Sequence, residues 1–85
     1  MAASGTASWY ATGPAGVAAA GRALRDALGP SWRGSRVRVC GPAGCATVLL
    51  GDVMAAHRLV DLPPTAFLAV CGPLALGLCT AGVSR

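Results

Sequence analysis

Leu62-Pro63-Pro64-Thr65-Ala66-Phe67-Leu68-Ala69-Val70-Cys71-Gly72-Pro73-Leu74-Ala75-Leu76-Gly77-Leu78-Cys79-Thr80-Ala81-Gly82-Val83 carries no charged side chain. Read as one helix, it meets the length of about 20 apolar residues needed to cross a bilayer. Read in pieces, it is a short helix over Ala66 to Val70 opened by Pro63-Pro64-Thr65, a loop at Cys71-Gly72-Pro73, and a strand from Leu76 to Val83. Proline is tolerated in a first helical turn. Pro63, Pro64, Gly72, Pro73, Gly77 and Gly82 all oppose a continuous helix, and only Arg85 flanks the far end with positive charge. The segmented reading is therefore preferred and a membrane partner is not expected. A small membrane protein spanning with residues 62–83 stays as the rival.

Immediately upstream, His57 to Leu62 reads as a strand, and Arg58-Leu59-Val60-Asp61-Leu62 sets a carboxylate in an apolar run. A charge there costs free energy unless something holds it. Asp26, Asp52 and Asp61 are the chain's only carboxylates, so Asp61 and Asp52 are the first candidates for acid/base work. Plainer roles compete. Asp61 can accept backbone N–H bonds at a strand-to-helix turn or cap the helix after it, and Asp52 after Gly51 suits a turn. Pairing of Arg58 with either acid would favour the ionised form and oppose a general-acid role.

Further upstream, residues 1–6 read as a loose arm before a domain of residues 7–85. Ala7 to Ala11 reads as a strand whose alternation sends one of Trp9 and Tyr10 inward and the other outward. Thr12-Gly13-Pro14-Ala15-Gly16 is a turn cluster. Val17 to Leu28 has the spacing of a helix ending at Gly29-Pro30. Ser31 to Ser35 is loop with Trp32 turned inward, Arg36 to Cys40 and Cys45 to Leu50 are strands, and Gly51 to Ala56 connects them to the next.

Eighty-five residues make one domain. Hydrophobic residues at 54% and charged residues at 12% oppose disorder. Lys, Glu, Asn, Gln and Ile are missing; all seven basic side chains counted in the net charge of +4 are arginine. Arg33, Arg36 and Arg38 cluster beside Trp32, but Arg36 and Arg38 alternate with Val37 and Val39 as on a solvated strand face. Nucleic acid is not expected; an anionic cell-wall polymer suits the charge equally well. Cys40 and Cys45 flank Gly41-Pro42-Ala43-Gly44, a turn that makes a disulfide feasible. Cys71 and Cys79 read as small buried residues with a second bridge left open. His57 is the only histidine and no tight cysteine pair is present, so no metal and no cofactor are expected. Residues 1–20 lack the basic start and apolar core of a signal peptide.

Ala7-Ser8-Trp9-Tyr10, Ala19-Ala20-Gly21-Arg22-Ala23-Leu24, Trp32 to Cys40, and Arg58 to Leu62 with Ala66-Phe67 occur in that order. The pattern resembles the rare lipoprotein A-like (RlpA-like) double-psi β-barrels, relatives of barwin and expansins, in the cysteine-bearing form of GC-rich bacteria and their phages. It covers residues 6–83. The resemblance implies a mainly β, six-stranded double-psi barrel with one or two short helices, placed outside the cytoplasm, at a cell wall or in a virion. It implies a groove for peptidoglycan glycan strands, with Trp9, Tyr10 and Arg58 as glycan-binding candidates, and a Cys40–Cys45 disulfide. Members that cleave peptidoglycan are lytic transglycosylases; on that pattern Asp61 takes the catalytic position and Asp52 matches a second acid. A carboxyl that protonates the leaving oxygen and then takes a sugar hydroxyl proton suffices for such cleavage; a second carboxylate suits hydrolysis. Two departures stand out. Gly21 occupies the family's histidine position, and Val53-Met54-Ala55-Ala56 replaces a segment with a tryptophan and two cysteines. These departures motivate the alternative of a catalytically inactive structural or interaction module, such as a small phage-tail or virion component joined to other subunits.

Overall fold

The computed structural model describes residues 3–11, 13, 15–54 and 57–85. Its strands are β1 (Ala3–Trp9), β2 (Val17–Ala20), β3 (Arg36–Gly41), β4 (Gly44–Val53), β5 (Val60–Leu62) and β6 (Leu78–Ser84). Two short helices, α1 (Arg22–Leu28) and α2 (Pro64–Val70), interrupt them. The strands close into a barrel in the order β1-β5-β2-β4-β3-β6. The β1/β5 and β2/β4 pairs run parallel and the other four antiparallel. Closure leaves no sheet edge to template aggregation. The mainly β, six-stranded barrel with two helices is the architecture that the sequence led us to expect.

The uncharged tail does fold back. Residues 62–83 divide into the end of β5, α2, a single 3-10 turn at Leu74–Leu76, and most of β6. β6 pairs with β1 from Ala3↔Val83 to Ser8↔Leu78, joining the first and last strands. No helix among the described residues is long and apolar enough to cross a membrane. Pro64 sits in the first turn of α2, and Ala66, Phe67 and Val70 form its buried face. Phe67 is fully buried with Leu24, Leu50, Leu62 and the valines of β3, β5 and β6.

Several expected boundaries need correction. Val17 to Leu28 is not one helix: Val17–Ala20 is β2, and only Arg22–Leu28 is helical. Alanine favours helix, but Ala18 and Ala20 are fully buried between β4 and β5, where small side chains suit a narrow barrel. Tertiary packing overrides local preference there. Residues 3–6 are not a loose arm but the paired start of β1; residues 1–2 lie outside the described set. β5 begins at Val60 rather than at His57, and β4 runs on through Val53. Of the turn at 12–16, Thr12 and Pro14 lie outside the described residues, as do Ala55 and Ala56 of the connection at 51–56.

Both cysteine pairs are disulfides. Cys40 and Cys45 face each other across the β3–β4 hairpin, with Cα atoms 4.0 Å apart. Cys71 and Cys79, left open by the sequence, also join, their Cα atoms 5.6 Å apart. They tie the end of α2 to β6 around the 3-10 turn.

Candidate functional site: a row of side chains across four strands

Residues opposite one another in neighbouring strands project to the same face. Asp61 of β5 is in register with Ser8 of β1 on one side and Ala19 of β2 on the other. Ala19 is in turn in register with Asp52 of β4. Ser8, Asp61, Ala19 and Asp52 thus form one row across four strands. Two strand spacings separate the backbones of Asp61 and Asp52, about 9.5 Å. Val60 and Leu62, the neighbours of Asp61, are fully buried in the barrel, so Asp61 faces outward.

Asp52 reaches this face because of a bulge. Val48 and Leu50 of β4 point into the core, and strict alternation would send Asp52 after them. The β2–β4 register shifts between Ala18↔Leu50 and Ala19↔Asp52, leaving Gly51 as the extra residue. A bulge of this kind re-aims the side chain that follows it. Glycine keeps the bulge clear of β2: a Cβ at Gly51 would lie 2.8 Å from Val17 Cγ1, and that side chain would have to shift.

Ser8 is the only polar residue among the buried described residues, 2% exposed. Its hydroxyl donates to Asp61 Oδ1 over 2.8 Å. That bond holds the half-buried carboxylate in place and leaves its other oxygen without a hydrogen-bond partner among the described residues. Asp52 is exposed and, among the described residues, accepts only the Val53 N–H, at 2.9 Å. Neither acid has an ion-pair partner among the described residues, where the one ion pair joins Arg22 to Asp26. Asp61 does not cap α2, whose N-cap is Pro63 with no side-chain bond.

Tyr10 belongs to the same neighbourhood. Its phenol titrates above the ordinary 10.0, because burial disfavours the phenolate and the Asp61 and Asp52 charges repel it. The hydroxyl donates to Val17 O at 2.8 Å, anchoring the ring to the start of β2. Trp9 has a structural bond instead: its Nε1 donates to Leu74 O at 2.9 Å, and its ring packs against the core. Both aromatics are half-buried, Trp9 packed against the core and Tyr10 beside the outward acids. Arg58 is not in the row. It is exposed and lines a separate pocket with Arg22, Arg25 and His57.

Gly21, at the histidine position of the resembled family, has no room for a side chain. A Cβ there would collide with the carbonyl oxygen of Arg58 and lie 3.0 Å from Leu59 O. The Gly21 N–H donates to that Leu59 carbonyl at 2.9 Å. The backbone before β5 fills the space. Among the described residues, no group of three His, Cys, Asp or Glu side chains could hold a metal ion. Sequence reasoning missed Ser8 and Gly51 as parts of the site. Ser8 gave no signal: β1 carries Ser4 and Thr6 as well, and only the register with β5 singles Ser8 out. The Gly51 bulge had none beyond the glycine itself.

No protein-family model matches the chain, and no curated protein matches it. Solved structures do. A mutant Clavibacter michiganensis expansin in complex with cellohexaose is 21% identical, with a TM-score of 0.74 over 96% of this chain and 50% of that one. The apo expansin of the same organism is 22% identical, with a TM-score of 0.75 over the same shares. A Streptomyces papain inhibitor is 20% identical, with a TM-score of 0.68 over 98% of this chain and 94% of that one. The chain therefore has the double-psi barrel fold of the RlpA-like and expansin type, as the sequence resemblance implied. It spans half the length of the expansin chains.

Proposed function

We propose that this chain is a cell-wall-directed, glycan-binding domain whose contact face is the Ser8–Asp61–Ala19–Asp52 row with Tyr10 beside it. The observation that carries the reading is the outward Asp61 carboxylate, fixed by Ser8 and set two strands away from a second carboxylate aimed by a bulge. Carboxylate oxygens are strong acceptors for sugar hydroxyls, and the Ala19 between them carries only a methyl group. The fold likeness to an expansin in complex with cellohexaose supports a sugar as the ligand. Peptidoglycan glycan is the polymer that the sequence resemblance favours. Cleavage through Asp61 would require that carboxyl to donate to the glycosidic oxygen and then accept a hydroxyl proton, alone, since Gly21 offers no side chain. Binding without cutting is what this geometry supports best.

Sedimentation with insoluble peptidoglycan and with cellulose, for the wild type and Asp61→Asn, tests the reading. Retention on a wall polymer that Asp61→Asn weakens supports it; equal recovery in the supernatant with and without polymer rejects it. Release of anhydro-muropeptides by the wild type but not by Asp61→Asn would add lytic cleavage.

A second reading is an interaction module that binds protein rather than sugar. Its support is the papain inhibitor of nearly the same length, together with the Cys71–Cys79 loop, which presents Leu76 and Leu78 at 57% and 46% exposure. Inhibition of papain by the intact but not the reduced protein would favour it.

A further inference from the structure

A pocket of about 720 Å³ among the described residues does not contain Asp61. It lies where α1 leaves β2, walled by Ser4, Gly5 and Thr6 of β1, by Met54, and by His57 to Leu59 before β5. Arg22, Arg25 and Arg58 all line it, against the single carboxylate of Asp26. That carboxylate is weakly engaged: it lies 3.7 Å from Arg22 Nε, with both side chains largely in solvent. Arg25 and Arg58 have no acidic partner among the described residues. Arg25 is half-buried, and its Nε is shielded from solvent with no hydrogen-bond partner among those residues. A shielded N–H without an acceptor is a cost that a bound acceptor would relieve.

Three guanidiniums converging on one concavity repel each other and focus a positive potential into it. Guanidinium forks match the paired oxygens of carboxylates and phosphates. Ser4 and Thr6 on the opposite wall add polar groups. We propose that this pocket binds an anionic group, a carboxylate or phosphodiester borne by a cell-wall polymer. The proposal relies on the glycan-binding reading only for the source of the anion. A wall polymer on the Asp61 row would have its neutral sugars there and its charged substituent beside α1.

The test is an amide chemical-shift titration with three probes: hexagalacturonate for carboxylates, a glycerol-phosphate oligomer for phosphodiesters, and cellohexaose as the neutral control. The expected result is saturable shifts at Arg22, Ala23, Met54 and Arg58 with one or both anions and none there with cellohexaose. The affinity should fall at least tenfold as ionic strength rises from ~0.01 M to ~1 M and the screening length contracts from ~30 Å to ~3 Å. Arg22 and Arg58 are exposed, so the double variant Arg22→Gln/Arg58→Gln should keep the wild-type Tm and lose at least tenfold in affinity. The double lysine variant should recover part of it. No saturable shift with either anion at low salt overturns the proposal. So does binding that the double glutamine variant retains, or shifts confined to Arg33, Arg36 and Arg38. Cellohexaose shifts at Asp61 without anion shifts at Arg58 would sink this pocket alone; anion shifts at Arg58 with no shift at Asp61 from either cellohexaose or a peptidoglycan glycan fragment would sink the glycan row alone.

Discussion

Replacing Gly21 by alanine tests the packing that separates this site from the resembled enzymes. The added Cβ would collide with the carbonyl of Arg58 and come within 3.0 Å of Leu59 O, both of them backbone. Backbone cannot rotate away as a side chain can, so the segment leading into β5 must shift. Two costs follow. Overpacking of this kind costs about 1–3 kcal/mol. Displacing the Gly21 N–H from Leu59 O, now 2.9 Å, leaves a buried donor and acceptor short of a partner, about 1–3 kcal/mol more. A loss of about 3–4 kcal/mol is expected, a large share of the roughly 5–15 kcal/mol typical of a domain. Gly5→Ala is the control: the three atoms nearest its Cβ all belong to the Leu59 side chain, the closest at 3.2 Å, so it should cost less than Gly21→Ala. Urea unfolding followed by tryptophan fluorescence measures both. Gly21→His should be at least as damaging as Gly21→Ala and should not create lytic activity. A Gly21→Ala protein within about 0.5 kcal/mol of wild type, or a Gly21→His protein that cleaves glycan, would refute the account of this position.

Tyr10 is the only tyrosine, so phenolate absorbance reads it alone. Its titration should lie above 10.0, and Asp61→Asn and Asp52→Asn should each lower it, Asp61→Asn by more. The folded phenol holds its proton more tightly than the unfolded chain does. Stability is therefore full below pH 10.0 and declines as pH rises through the folded-state value; Tyr10→Phe should abolish that part of the decline in unfolding measured against pH. Replacing each cysteine pair by serine should cost about 2 kcal/mol for Cys40–Cys45 and about 2.5 kcal/mol for Cys71–Cys79, from loops closed over separations of 5 and 8 residues. Denaturant midpoints of the two double variants check the order.

The barrel was legible where period and turn chemistry agreed. Arg36 to Cys40 alternates basic and apolar, Gly41 to Gly44 turns the chain, and the β3–β4 hairpin follows as expected. Gly29 was also a readable stop: its N–H returns to Arg25 O with φ of 85°. The failure at Val17–Ala20 has a physical cause. An alanine run encodes no period, and only the narrow space between β4 and β5 makes it a strand. The second disulfide was hidden because Cys71 and Cys79 are brought together by the 3-10 turn, which has no strong local signal. For the site, Asp61 was visible as a charge in an apolar run. Its partner Ser8 was not, because the β1–β5 pairing is parallel and joins residues 53 apart in the chain. Arg58 is a glycan-binding candidate on the sequence resemblance, yet it precedes β5 and lines the other pocket.

Amide shift mapping with a soluble peptidoglycan glycan fragment bears most directly on where ligand sits. Shifts concentrated at Ser8, Tyr10, Ala19, Asp52 and Asp61, and abolished by Asp61→Asn in a protein with unchanged Tm, are the result expected. Saturable shifts that avoid those five residues, or an Asp61→Asn protein that binds as tightly as wild type, would contradict it.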